Sequence, residues 1–298
     1  MFQITPMRNS SRYPAVLAIV AAAACATNNA TAPTLDTKPV VIAHRGSSYA
    51  APEHTFAAYD LALAEGADYI EQDIHRTRDG VLVVIHDETL DRTTRGESGA
   101  CTGRVADKTL DQLRRCDAGS WFNVQNPLRA RPEYAGLRIP TLVEVLDRYG
   151  SRTRYYIEVK DPGNYPGIEA DLVALLNTRG LNAPAEGLAR VLVQSFSGAS
   201  LLRVRELDRR IPLIQLLSAL PAAEARAAID SIQRYASGIG PHRSSVDRSF
   251  VDAARGSGLR VHPYTVDDPS EMRAMLDLGV NGMFTNRPAL LRAIITER

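Results

Sequence analysis

The sequence predicts a (β/α)8 barrel, and three observations carry that expectation. Short apolar runs alternate with amphipathic segments from residue 40 to the C-terminus, giving eight strand candidates if one hairpin partner is not counted separately. Eight such units in roughly 250 residues match the size of this barrel. Several of the runs end in ionisable residues, as expected where buried strands deliver chemistry to the open face at their C-terminal ends. The runner-up is an open doubly wound sheet. It is weakened because no Gly-x-Gly-x-x-Gly follows the first strand.

The first strand, Val40-Val41-Ile42-Ala43, is continuously apolar, as a strand buried on both faces must be, and it runs into His44, Arg45 and Gly46. Residues 55–65 carry apolar side chains at helical spacing and stop at Gly66. Residues 69–74 form the second strand, and Arg78-Asp79-Gly80 turns the chain back so that residues 81–85 become its hairpin partner or extension. Residues 88–140 break the rhythm. That stretch is too long for an ordinary connection, so a functional loop or small subdomain is expected there, with a short helix over 109–115. Thr141 with Glu144 forms a capping-box pattern for a helix over 142–149. The alternation then resumes with strands at 155–159, 190–194, 212–217, 237–241, 259–264 and 282–285. Helices follow at 168–179, 198–207, 222–235, 249–257, 270–278 and 288–296.

The 298 residues have an ordinary globular composition and a formal charge of +1, which gives no reason to expect nucleic-acid binding. No coiled-coil or partner-binding pattern stands out. Arg8 and Arg12 precede a short apolar run at 15–24, followed by Cys25 and a polar stretch. This reads as an export leader and linker over 1–36, ahead of a barrel domain over 37–298. Ala22-Ala23-Ala24-Cys25 makes Cys25 a lipidation candidate, although Leu is usual where Ala22 stands. The expectation is an exported protein of a bacterial periplasm or envelope, or a secreted one, touching membrane only through such an N-terminal anchor. Cys101 and Cys116 then become a disulfide candidate. Two unpaired thiols are the alternative.

Chemistry concentrates at the strand ends. Glu71 and Asp73 are two residues apart and share one side of their strand, as do Glu158 and Lys160. Carboxylates on apolar strands are not buried unpaired. Three of them around one cavity suit one hard divalent cation, Ca²⁺ or Mg²⁺, while salt bridges to Arg45 or Lys160 are the bland alternative. His44 and His86 also end strands and suit either an acid–base pair or metal ligation. Neither a Gly-x-Ser-x-Gly nor a zinc-hydrolase pattern is present.

His44-Arg45-Gly46, Pro52-Glu53-His54-Thr55, Glu71-Gln72-Asp73, His86-Asp87 and Leu90-Asp91-Arg92-Thr93-Thr94 occur in that order. Ile139-Pro140-Thr141-Leu142, Ile157-Glu158-Val159-Lys160, Gln194-Ser195-Phe196, Tyr264-Thr265-Val266 and Thr285-Asn286-Arg287-Pro288 follow. This ordered set resembles the glycerophosphodiester phosphodiesterase family. The resemblance implies a metal-dependent barrel enzyme that cleaves small glycerophosphodiesters to glycerol 3-phosphate and an alcohol. Carried over by motif, His44 and His86 are the acid and base, and Glu71, Asp73 and Glu158 hold the cation. Arg45 and Lys160 bind phosphate, and Glu53 helps bind metal or the glycerol hydroxyls. Gln194 and Tyr264 fall in motifs at the substrate. His54 stands where Asn is common, Tyr264 where Trp is common and Asp267 where Asn is usual. These departures are expected at the substrate-facing rim or in loop support. Trp121 is either a rim residue touching substrate or a core anchor for the insertion. Two rival readings share the barrel: a lysophospholipase D or sphingomyelinase D-like enzyme, and a non-catalytic envelope protein that binds phosphodiesters.

Overall fold

The computed structural model describes Met1 and residues 38–96, 99–182 and 188–298. Cys25 and the rest of the expected leader lie outside these residues, so the lipidation reading does too. Eight parallel strands form a nearly closed barrel. In chain order they are β1 (Val40–Ala43), β2 (Tyr69–Arg76), β4 (Tyr155–Val159), β5 (Val191–Ser195), β6 (Leu213–Leu217), β7 (Gly238–Pro241), β8 (Arg260–Val261) and β9 (Gly282–Thr285). A short β3 (Leu82–Val84) pairs antiparallel with β2, as the Arg78-Asp79-Gly80 turn predicted. Around the sheet the order is β8-β7-β6-β5-β4-β2-β1-β9.

The helices follow from local sequence. In α1 (Phe56–Ala64) the Thr55 hydroxyl caps the first turn by accepting from Ala58 N–H. The short α2 (Leu110–Leu113) and α3 (Ser120–Gln125) belong to the insertion. The capping box of Thr141 and Glu144 starts α4 (Leu142–Tyr149). Then come α5 (Ile168–Thr178), α6 (Gly198–Leu207), α7 (Ala222–Ala227), α8 (Ile229–Ile232) and α9 (Arg248–Gly256). The predicted single helix at 222–235 is interrupted at Ala228, where the bonds tighten to Ala225 O. Asp268 caps α10 (Pro269–Leu278), Pro269 sits in its first turn and Gly279 ends it at φ 86°. The last helix is α11 (Pro288–Thr296).

The predicted strand at 259–264 is regular only over Arg260–Val261. Pro263 explains the early end, because it has no N–H to give the ladder. The seam to β9 is closed by Asn281 N–H on Val261 O and Phe284 N–H on Pro263 O, both at 3.0 Å.

Alternation along the strands builds two cores. Ile70, Ile74, Ile157 and Val159 face outward, where buried residues of α4 and α5 cover them. Val40, Ile42, Tyr69, Tyr156, Leu192, Ile214 and Phe284 point inward and fill the barrel. The next inward positions along the same strands are His44, Glu71, Asp73, Glu158 and Gln194. In the insertion, Cys101 and Cys116 form a disulfide with Cα atoms 5.5 Å apart. Trp121 and Phe122 pack there with Tyr134 and Ala51. Trp121 is 6% exposed and its Nε1 donates to Ala118 O, so it anchors the insertion instead of lining the cavity.

Candidate active site

The inward positions at the C-terminal end of the strands line a cavity of about 370 Å³. His44, Arg45, Glu71, His86, Glu158, Lys160, Gln194 and Tyr264 all reach it. Strand register explains the convergence. Asp73 lies beside Glu158 across β2 and β4, and Glu158 beside Gln194 across β4 and β5.

Glu71 and Asp73 are each 1% exposed and Glu158 is 7% exposed. Burial, then the neighbouring Asp73 and Glu158, push the Glu71 carboxyl well above its ordinary value. Burial and Asp73 likewise push Glu158 up to about 8. Burial acts on Asp73 too, yet the hydrogen bond from His54 and the Lys160 charge hold it well below the usual range. Lys160 Nζ lies 3.0 Å from Glu158 and 3.9 Å from Asp73 Oδ1. Arg45 N–H donates to Glu71 Oε2 at 2.7 Å, and its Nη1 donates to Glu53 at 3.0 Å. Gln194 Nε2 donates to Glu71 at 3.5 Å. The Tyr264 hydroxyl donates to Leu217 O, leaving its ring, edge-on to Phe196 and His242, as the part that lines the cavity.

Asp73 Oδ1 is buried and makes no hydrogen bond among the described residues. An oxygen of an ionised carboxylate, orphaned beside two carboxyls whose charge is disfavoured, fits a divalent cation. The side chains of His54, Glu71 and Asp73 can bring one ligand atom each within 4.8 Å of one another.

His54 is not a rim residue. It is 3% exposed, its Nδ1 is 2.8 Å from the Tyr59 hydroxyl and its Nε2 is 2.8 Å from Asp73 Oδ2. Asp73 can only accept, so Nε2 carries the proton and Nδ1 accepts from Tyr59. Burial lowers the His54 pKa, which keeps this neutral tautomer. Both ring nitrogens are therefore engaged, and His54 holds Asp73 in place. Of the two expected places, rim or support, His54 takes the supporting one, on a left-handed backbone at φ 57°.

The two histidines differ. Burial and then Arg45 lower the His44 pKa to about 3, so the ring is neutral. Its Nδ1 lies 2.7 Å from Asn286 Oδ1, which fixes the proton on Nδ1 and leaves Nε2 as an acceptor. Asp267 in turn accepts from Asn286 N–H and Nδ2–H at 2.7 and 2.6 Å, and Ser48 donates to Asn286 Oδ1. Asp267 is thus a support for His44. His86 Nδ1 lies 2.7 Å from the Asp87 carboxylate and its Nε2 lies 3.4 Å from Lys160 Nζ. Asp87 is partly desolvated, but hydrogen bonds from His86 and Arg92 hold it well below its ordinary value. Arg92 donates to Asp87 and to both oxygens of Glu53, tying the His86 support to the Arg45 support. His75 Nε2 lies 3.1 Å from the His86 carbonyl.

Among the described residues, the non-glycine residues with positive φ are Arg45, His54 and Asp161, which lie in the site or directly after Lys160. Backbone strain therefore collects where the site is assembled. Gly46 is required beside them: at φ 86°, a Cβ there would stand 2.7 Å from the Ala58 backbone. The sequence alone assigns no role to Asn286, Asp87, Arg92 or Phe196, and places Asp267 only at the rim or in loop support. All five were visible only as members of motifs or departures, without a partner to give them a task.

The chain matches the model of the glycerophosphoryl diester phosphodiesterase family over residues 44–290. It is 44% identical over 256 residues to the glycerophosphodiester phosphodiesterase of Bacillus subtilis, covering 86% of each chain. Among solved structures it resembles a phosphodiesterase of Oleispira antarctica in complex with the product sn-glycerol-3-phosphate. That match has TM-score 0.73 and 29% identity, over 87% of this chain and 97% of that one. A glycerophosphodiester phosphodiesterase structure from Agrobacterium tumefaciens matches with TM-score 0.69 and 32% identity, over 86% and 99%.

Proposed function

The chain belongs to the glycerophosphoryl diester phosphodiesterase family, and from that premise we propose that it hydrolyses small glycerophosphodiesters to sn-glycerol 3-phosphate and an alcohol. The observation that carries the reading is one cavity holding His44, His86, Arg45, Lys160, Glu71 and Glu158 together. Glu71, Asp73 and Glu158 would hold one divalent cation, Ca²⁺ or Mg²⁺. When bound, such an ion stabilises negative charge at the phosphoryl oxygens.

The chain's own residues supply the rest. Arg45 and Lys160 bind the diester anion and shield it from the carboxylates. His44, neutral and with Nε2 free to accept, takes the proton of the nucleophile. His86, backed by Asp87, gives a proton to the departing alkoxide. Asn286 holds His44 in the tautomer that leaves Nε2 open, while Asp87 accepts from His86 Nδ1–H, so the proton His86 gives is the Nε2–H of its doubly protonated ring. The nucleophile is the adjacent glycerol hydroxyl, already in place on the substrate. Its attack gives a cyclic phosphate that water opens, and a substrate methylated at that hydroxyl should not turn over.

Trp121 and Phe122 lie in the insertion core. This removes the apolar groove that an acylated substrate would have favoured there. The Cys101–Cys116 bond supports the expectation of export to an oxidising compartment. Fractionation of cells expressing the full chain, with a lipid label at Cys25, tests compartment and anchor.

The direct test of activity is sn-glycerol 3-phosphate release from glycerophosphocholine with Ca²⁺, with Mg²⁺ and with excess chelator. Product that needs a cation and falls about 10²–10⁴-fold in His86→Ala supports the reading. Full activity in chelator, or in His86→Ala, overturns the cation or the His86 role. No product with either ion overturns the hydrolytic reading.

A further inference from the structure

A second cavity of about 380 Å³ adjoins the first and shares His44 and Arg45 with it, and its other lining residues include Tyr49, Glu53 and Arg129. The two differ in charge. The first contains the Glu71 and Glu158 carboxylates, and its outer cation, Arg243, is paired with Glu271 at 2.6 Å. With that outer cation already paired, the chamber suits an uncharged polyol. The carboxylate of the second chamber, Glu53, is already taken by Arg45 and Arg92 at 3.0 and 2.6 Å. Arg129 meets no carboxylate among the described residues, and one of its terminal nitrogens, Nη1, is buried without an acceptor. Its guanidinium lies 3.9 Å from the Tyr49 ring centre and donates to Asn126. Arg287 sits over the same ring at 4.5 Å and pairs with no carboxylate among the described residues either. Two guanidiniums are thus held in place by an aromatic ring instead of by counter-charges.

A phosphodiester has two arms, and the shared residues His44 and Arg45 stand where the arms diverge. We propose that the second cavity receives the leaving-alcohol arm and selects alcohols that carry their own anion, a phosphate or a carboxylate, through Arg129. This rests on the hydrolytic reading above. The anion supplies the counter-charge that Arg129 lacks among the described residues, and a charge-assisted bond to a preorganised guanidinium is stronger than a neutral one. The effect is partly screened by salt because the chamber opens to solvent.

The test compares kcat/KM for glycerophosphoglycerol and for the same diester carrying a phosphomonoester on its distal hydroxyl. A third substrate, with a carboxylate at that end, separates the two anion types. At low salt the wild type should favour the phosphorylated diester on the order of tenfold, mainly through KM, and added salt should shrink the ratio. In Arg129→Ala the ratio should fall to about one, and Arg129→Lys should keep part of it. A ratio of about one in the wild type overturns the proposal. So does an unchanged ratio in Arg129→Ala, or an equal loss on both substrates, which would mark Arg129 as structural. Hydrolysis of glycerophosphoglycerol with no preference sinks the subsite alone, whereas hydrolysis of neither diester sinks the activity reading and the subsite with it.

Discussion

The two halves of the barrel interior are built from the same alternating positions of the same strands, yet they obey opposite rules. The lower half runs Ile42, Tyr69, Tyr156, Leu192, Ile214. It is apolar, and the phenols of Tyr69 and Tyr156 find partners in Ala189 O and His262. One inward step further along, the strands carry His44, Glu71, Glu158 and Gln194. There, Asp73 Oδ1 and Gln194 Oε1 are buried without partners and two carboxyls resist ionisation. The lower half pairs the polar ends of its buried tyrosines, while the upper half leaves buried oxygens unpaired. The difference teaches where stability ends and function begins, because buried polar groups left unsatisfied are retained only where something else completes them.

The contrast is broken most sharply by exchanging its consequences. His86→Ala should lower kcat about 10²–10⁴-fold while leaving the urea midpoint near wild type. Ile42→Ala, at a fully buried lower position, should do the reverse. It should cost about 2–5 kcal/mol in urea unfolding and leave kcat unchanged under folding conditions. A large rate loss in Ile42→Ala, or a large stability loss in His86→Ala, would merge the two halves. The insertion adds a third region, supporting the rim from outside through Arg92. Cys101→Ser with Cys116→Ser should cost roughly 3 kcal/mol of stability, with a rate loss smaller than that of His86→Ala.

The smallest effect, taken per pH unit, concerns protons. In the cation-free fold Glu158 keeps its proton up to about 8, against an ordinary value of 4.5. The folded chain therefore binds more protons than the unfolded one between those pH values, and its stability falls as pH rises through that window. The slope from this group is at most about 1.4 kcal/mol per pH unit. Thermal melts of chelated wild type and Glu158→Gln from pH 5 to 8 check it: the wild type should lose stability relative to the variant. Parallel curves would refute the assignment.

The barrel was legible because each strand is short and apolar and its ionisable end is adjacent in sequence. Register then had only to bring Asp73, Glu158 and Gln194 into one row. His54 was illegible because its placement depends on a left-handed backbone and on Tyr59 and Asp73. Asn286 was quoted in a motif, yet its task requires His44, 242 residues away. Pro263 could have warned that the strand at 259–264 ends early, since a proline gives the ladder no N–H. Within the insertion, Trp121 could be read either way until Tyr134 and Ala51 were seen around it.

The most direct test of the central claim, that the upper half is a cation site held at the expense of the fold, is a thermal shift. Chelator-stripped wild type, Asp73→Asn and Glu71→Gln would be melted with and without Ca²⁺ at pH 8. The account predicts that about 100 Kd of cation stabilises the wild type by about 2.7 kcal/mol. Glu71→Gln should start from a higher melting temperature without the ion, Asp73→Asn, which loses an ionised partner of His54 and Lys160, from a lower one, and both should gain little from the ion. A wild type indifferent to Ca²⁺ and Mg²⁺, or variants stabilised as much as the wild type, would contradict it.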